Sequence, residues 1–149
     1  VAQMPSGRIV IMTRATARPY DDRKKNLFLW QIYSDDNGAS WSDPIPTPMM
    51  GFPPHLLVLS DGRLLCSYGR RAAPFGQRVM ISKDGITWNH AAEITLRDDA
   101  PNHDLGYPVS IETKPGEILT FYYQKPDWNP ANKHDHTSAI YQTRWSLPE

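Results

Sequence analysis

Cysteine is nearly absent. The 149 residues contain one, Cys66, so no internal disulfide can staple the chain, and the count says little about compartment. Net charge is absent too. Sixteen Lys and Arg balance sixteen Asp and Glu, leaving no global field to draw in nucleic acid or an anionic membrane surface. No apolar run approaches the roughly 20 residues of a membrane-spanning helix. The opening VAQMPSGRIVIM lacks a basic-then-apolar leader pattern. It has no initiator Met and enters a strand-like run almost at once, so the expectation is a fragment, or a chain whose earlier part is missing. Helical periodicity is missing as well, since no window repeats its apolar residues every 3.6 positions.

What the chain does have is punctuation and rings. Fourteen Pro, nine Gly, five Trp and seven Tyr describe turn-rich, aromatic-rich β-structure. Three segments share one plan: QMPSGRIVIMTR (Gln3 to Arg14), VLSDGRLLCSYGR (Val58 to Arg70) and ETKPGEILTFYYQ (Glu112 to Gln124). Each is a turn ending in Gly followed by a run of β-formers. Gly7 and Gly62 are 55 residues apart, and Gly62 and Gly116 are 54 apart. GFPPHLLVL and GYPVSIET, which precede the second and third turns, both open Gly-aromatic-Pro. Each unit reads strand, tight turn, strand, loop, strand, turn, strand. A four-stranded repeat of about 50 residues predicts a propeller blade. The expected fold is therefore all-β, a partial β-propeller domain over 1–149 with about three blades, roughly 1–50, 51–105 and 106–149. Three blades do not close a ring of four to eight. The remaining blades, or self-association, are the expected partners.

Two near-copies sit between the hairpins, YSDDNGASW (Tyr33 to Trp41) and ISKDGITW (Ile81 to Trp88), with the two Trp 47 positions apart. In each, Asp can accept from backbone amides, Gly can adopt the tight turn's angles, and Trp can pack its face beneath. Calcium binding through Asp35, Asp36 and Asp84 is the other reading, but the closing acidic ligand of such a loop is missing. A hairpin clamp is the preferred reading, with no metal and no cofactor.

The residues Ser34, Asp36, Gly38, Ser40 and Trp41, with Ser82, Asp84, Gly85, Thr87 and Trp88, resemble the Asp-box (BNR) repeat of the sialidase superfamily. The second box is one residue shorter than usual. GFPPHLLVLSDGRLLCSYGRR and DLGYPVSIETKPGEILTFYY look like bacterial members of that superfamily over most of the chain. The resemblance implies a six-bladed propeller, this chain being its C-terminal portion, and retaining exo-cleavage of a terminal sialic acid or related acidic sugar. It implies a Tyr nucleophile, an assisting Glu, an acid/base Asp and three carboxylate-binding arginines. A secreted or periplasmic bacterial location is compatible with it. The alternatives are a non-catalytic carbohydrate-binding or scaffold propeller, and a related hydrolase acting on another sugar.

By this resemblance Tyr107, in DLGYPVS, takes the nucleophile's place. A phenol needs a neighbouring base to attack, but approaches a carboxylate-bearing carbon without charge repulsion. Its counterpart Phe52 shows that an aromatic suits the position structurally as well. Arg14 and Arg78 match the second and third arginines, with Arg70 in reserve; the planar guanidinium suits a carboxylate. The assisting Glu would fall about fifteen residues before Arg14, beyond the start of the chain. The first arginine and the acid/base Asp belong to absent blades. Asp104 is near Tyr107 in sequence, but neighbours on one strand need not point the same way. His55 is either a rim contact to substrate or a hydrogen-bonded strand-start histidine. On the loop KPDWNPANKHDH, His134, Asp135 and His136 could suggest metal, which is not favoured, and Trp128 could stack on a sugar. Cys66 is expected to fill core space.

Overall fold

The computed structural model describes residues 1–14, 27–125 and 138–148. The chain is all-β, with three antiparallel sheets and, among the described residues, no α-helix. The first sheet is a meander of β1 (Ala2–Gln3), β2 (Ile9–Arg14), β3 (Phe28–Ser34) and β4 (Ile45–Met50). The second repeats it with β5 (Pro54–Val58), β6 (Leu64–Arg70), β7 (Gly76–Ser82) and β8 (Ile94–Arg97). A single 3₁₀ turn, His90–Ala92, precedes β8. The third holds β9 (Leu105–Lys114), β10 (Glu117–Gln124) and β11 (Ala139–Ser146). Each sheet starts with its edge strand, and these first strands stand side by side, β1 against β5 and β5 against β9.

Two-residue alternation explains how the sheets stack. Leu64, Cys66 and Tyr68 on β6 face the first sheet and join Val10, Met12, Leu29 and Met49 in one core. Leu65, between them, faces the third sheet and packs with Val79 and Ile118. The second sheet is thus covered on both faces, and for that reason β6 is an almost unbroken apolar run. Each fully buried Leu or Met stabilises the fold by about 1.5–3 kcal/mol. The third sheet is covered on one face only: Val109, Ile111, Phe121 and Ile140 point outward and are exposed.

The two Trp boxes behave differently. Asp36 accepts from the Ser34 hydroxyl at 2.7 Å, the Ser40 amide at 2.9 Å and the Ser40 hydroxyl at 2.5 Å. These bonds, those from Ser40 foremost, hold its carboxyl at about 2. Trp41 lies under its own turn, 3.5 Å from where a Cβ on Gly38 would stand, with its other face open. The second box is an inter-sheet joint instead. Trp88 is buried and donates to Gln31 of β3 at 2.7 Å, and Gln31 donates back to the Ile86 carbonyl at 2.7 Å. Gly85, at φ +74°, seats against Met4 and Val10 with no room for a side chain. The expected packing beneath the hairpin therefore describes Trp41. Trp88 reaches across to the neighbouring sheet because the tighter turn lies directly on it.

Desolvation alone would raise the Asp84 carboxyl, but hydrogen bonds from the Thr87 and Ile86 amides and from the Thr87 and Ser82 hydroxyls hold it well below the usual range. Asp84→Ala leaves those donors without their acceptor and loosens the joint. The expected cost is about 1 kcal/mol, read as a fall in the denaturant midpoint. A change below about 0.3 kcal/mol would mean that the turn holds itself without the carboxylate.

Candidate functional site

Antiparallel topology sends the ends of β2, β6 and β10 and the starts of β5 and β9 to one end of the molecule, opposite the boxes. Three glycines bring the sheets together there. A Cβ on Gly51 would collide with the Gly69 carbonyl, and one on Gly69 would stand 2.8 Å from the Gly106 Cα. The Phe52 amide donates to the Gly69 carbonyl at 2.8 Å. Only backbone fits in this space, so the residues after Gly51 and Gly106, Phe52 and Tyr107, are held close.

Tyr107 sits on a bulge. Phe121 pairs with Val109 but Tyr123 pairs with Gly106, so Tyr107 and Pro108 together oppose one residue of β10. The bulge accommodates a proline that cannot donate to the ladder. Tyr107 adopts φ +50°, an outlier for a bulky side chain, and is 66% exposed. Its ring lies 5.8 Å from that of Tyr123. The Tyr123 hydroxyl donates to Asp104 Oδ1 at 2.6 Å, and burial, with this bond, pushes the phenol up to about 12. Asp104 therefore serves Tyr123; among the described residues no carboxylate accepts from the Tyr107 hydroxyl.

Arginines surround these rings. Arg14, at the exposed end of β2, stacks 4.1 Å over Phe52. Arg71, just past β6, lies 5.2 Å from the Phe52 centroid and 6.0 Å from that of Tyr107. It also lines a cavity of about 270 Å³ with Asn102, His103 and Asp104. Arg70 keeps the parity of Tyr68 and faces the first sheet, where its charge acts on Arg78. Arg78 is 3% exposed and already engaged: it donates to the Gln77 carbonyl at 3.0 Å and to the Arg97 carbonyl, and lies 3.7 Å from Glu93. Burial lowers its pKa despite Glu93. The Tyr68 hydroxyl donates to the same Glu93.

The structure thus gathers Arg14 and Tyr107 around Phe52 and Arg71, and leaves Arg70 at the end of β6 and Arg78 buried on β7. His55, half-buried on β5, accepts from the Ser110 amide of β9 through Nδ1 at 3.3 Å. Ser110 continues the network to Ser67 at 3.1 Å and Thr120 at 2.9 Å. Here His55 joins two strands. Sequence reasoning missed Arg71 and the Tyr123–Asp104 pair; the Arg70-Arg71 doublet at a strand exit was the available signal. Trp128, His134, Asp135 and His136 lie outside the described residues. Among the described residues no group of three or more His, Cys, Asp or Glu side chains could hold a metal ion. A larger depression of about 860 Å³ lies at the box end, but its arginines are committed, Arg8 to Asp35 at 2.7 Å and Arg63 to Asp61 at 2.7 Å.

The molecule is thus an all-β protein whose paired glycines present arginines and aromatic rings at one end. No family model matches the chain, and no curated protein does. Among solved structures it is similar to a protein of unknown function from Dyadobacter fermentans DSM 18053, with 26% identity, a TM-score of 0.78 and 99% of this chain covered. The chain spans 37% of that protein's length.

Left-handed backbone costs an L-residue about 1–2 kcal/mol. Tyr107→Gly should therefore be about 1 kcal/mol more stable than Tyr107→Ala by chemical denaturation; equal stabilities would mean that the backbone there is not constrained. Burial lowers the pKa of His55 from its ordinary 6.5, and its Nδ1 accepts a hydrogen bond. A depressed histidine contributes stability that is complete above pH 6.5 and is lost as pH falls from there through the folded value. The His55 NMR titration midpoint should lie below 6.5, and a midpoint at or above it would contradict the buried neutral ring.

Proposed function

We propose that residues 1–149 form about half of a six-bladed, sialidase-like propeller that hydrolyses a terminal acidic sugar. Four-stranded meanders whose first strands stand side by side support the propeller reading. So do the open apolar face of the third sheet, which a further sheet would cover, and a similar chain much longer than this one. In this reading Tyr107 is the nucleophile. Its oxygen attacks the anomeric carbon, the leaving oxygen takes a proton from an acid, and water later releases the sugar with retained configuration. The base that receives the phenolic proton and the acid belong to segments beyond these residues. Arg14 stands ready for the substrate carboxylate, with Arg70 at the end of β6 in reserve, whereas Arg78 is buried and already engaged.

One observation carries this reading: Tyr107 is held exposed in a strained left-handed conformation between Tyr123 and Arg71. Strain of this kind persists where surrounding structure enforces it, and it concentrates at functional sites. A second reading, a non-catalytic carbohydrate-binding propeller, is favoured by the fact that the nearby carboxylate, Asp104, bonds Tyr123 instead. Fluorogenic sialoside, uronide and neutral glycosides, offered to the full-length protein, separate the two. Cleavage of an acidic glycoside is expected, with Tyr107→Phe folding normally and losing at least about 100-fold in rate. Undiminished turnover in a folded Tyr107→Phe would remove the nucleophile assignment. Silence of the folded protein across the panel favours the binding module.

A further inference from the structure

The third sheet has an open edge where the other two are closed. β3 lies between β2 and β4, and β7 between β6 and β8, whereas β11 has β10 on one side and no described strand on the other. Burial follows the neighbours. Every residue of β7 is buried except Ile81, while β11 alternates half-buried and exposed along its whole length, with Ile140 75% exposed. The other two outermost strands carry the usual protections of a sheet edge. β4 contains Pro46 and Pro48, which lack the amide N–H that a further strand would need. β8 is four residues long, and its pairing with β7 shifts register between Gln77 and Arg78. β11 has neither device. Its eight residues hold no proline and pair with β10 from Ala139 to Ser146 without a shift.

A second observation lies on the neighbouring sheet. Ile94 of β8 pairs with Val79, so Ile94 and Leu96 face the third sheet. They pack with Trp145 at the margin of the core of Leu65, Val79 and Ile118, and stay half-buried. First strands stand against first strands, so the place opposite β8 is the place beside β11. Arg97 of β8, stacked 4.7 Å over the Tyr141 ring, ties the two walls together. The slot thus offers main-chain N–H and C=O groups along one wall and apolar side chains on its floor. From it we infer that β11 binds a fourth, extended strand drawn from the same polypeptide outside residues 1–149. That source is favoured because the first two sheets take their fourth strands from their own chain, and because the similar solved structure is long enough to supply one, this chain spanning 37% of it. Strand addition gains affinity from main-chain bonds and selectivity from alternate side chains. The incoming segment therefore carries apolar residues at every second position, to lie on Ile94 and Leu96 and to cover the flanks of Tyr141 and Trp145. The inference rests on residues 1–149 being part of a larger propeller, and not on the sugar chemistry.

Hydrogen exchange of the folded full-length protein, read amide by amide across β11, tests the added strand. On an open edge only alternate amides of Ala139–Ser146 bond β10, and the others exchange at the solvent rate. With a fourth strand both sets should be slowed by about 100-fold or more, equally when the protein is diluted about tenfold. An outer set that exchanges freely overturns the inference, whatever the glycoside panel shows. Protection that is lost on dilution assigns the edge to a second copy and overturns the intramolecular strand. Leu96→Ala, which removes part of the floor, should weaken protection of the outer set roughly 10-fold and leave the set bonded to β10 unchanged. An equal loss in both sets would mean that Leu96 supports β11 itself, and would overturn the seat on β8.

Discussion

Backbone contact at Gly51, Gly69 and Gly106 sets the rest of the working end. Sheets that pack through side chains normally stand about 10 Å apart. Here the chain entering β5, the start of β9 and the end of β6 approach until no Cβ fits between them. Everything attached to those residues is drawn into the same small region: Phe52 and Tyr107 directly, Arg71 through the end of β6, and Asp104 and Tyr123 through β9 and β10. A single added methyl at Gly51 would strike the Gly69 carbonyl and one at Gly69 the Gly106 Cα, so either would push this backbone apart and dissolve the cluster. The site is therefore a consequence of packing first and of electrostatics second.

The two ends of the molecule use charge in opposite ways. At the box end nearly every charged group has an internal partner: Asp36 and Asp84 are saturated by turn donors, and Arg8 and Arg63 hold carboxylates. Such groups lock turns and have little left to offer a ligand. At the other end Arg14 and Arg71 lie over aromatic faces, which fix a guanidinium without neutralising it. Arg78 shows the contrast within one sheet. Buried against Glu93 and two carbonyls, it has the chemistry for a carboxylate but is closed off from solvent.

Much of the architecture could be read from sequence because it is written in local terms. The turns at Gly7, Gly62 and Gly116, the β-forming runs after them and the Asp-to-turn bonding in both boxes depend on neighbours in the chain. Tyr107 and Arg14 were singled out by the resemblance to the sialidase superfamily, whereas the Gly-aromatic-Pro echo of Phe52 shows only that an aromatic suits the place of Tyr107. What escaped was non-local. Nothing in ISKDGITW says that Trp88 will bond Gln31, 57 positions earlier, and nothing in DLGYP says that Asp104 will choose Tyr123 over Tyr107. Arg71 was hidden by its neighbour: the strand ends at Arg70, and the residue past a strand end follows no alternation. For His55 the sequence left a rim contact and a hydrogen-bonded strand-start histidine equally open, and its partner, the Ser110 amide, is met only once two sheets come together.

The pair Phe52 and Tyr107 also suggests how such a site arises. Both stand at the same point of a tandem unit, after a glycine and before a proline, and the close approach of the glycines tolerates either ring. The repeat supplies two equivalent positions, each holding an aromatic. One copy has kept the role of a platform beneath two cations. The other is turned outward on its bulge, and among the described residues no carboxylate accepts from its hydroxyl. Two copies of one sequence phrase within a single polypeptide thus meet different surroundings, one ring beneath guanidinium groups and the other open to solvent.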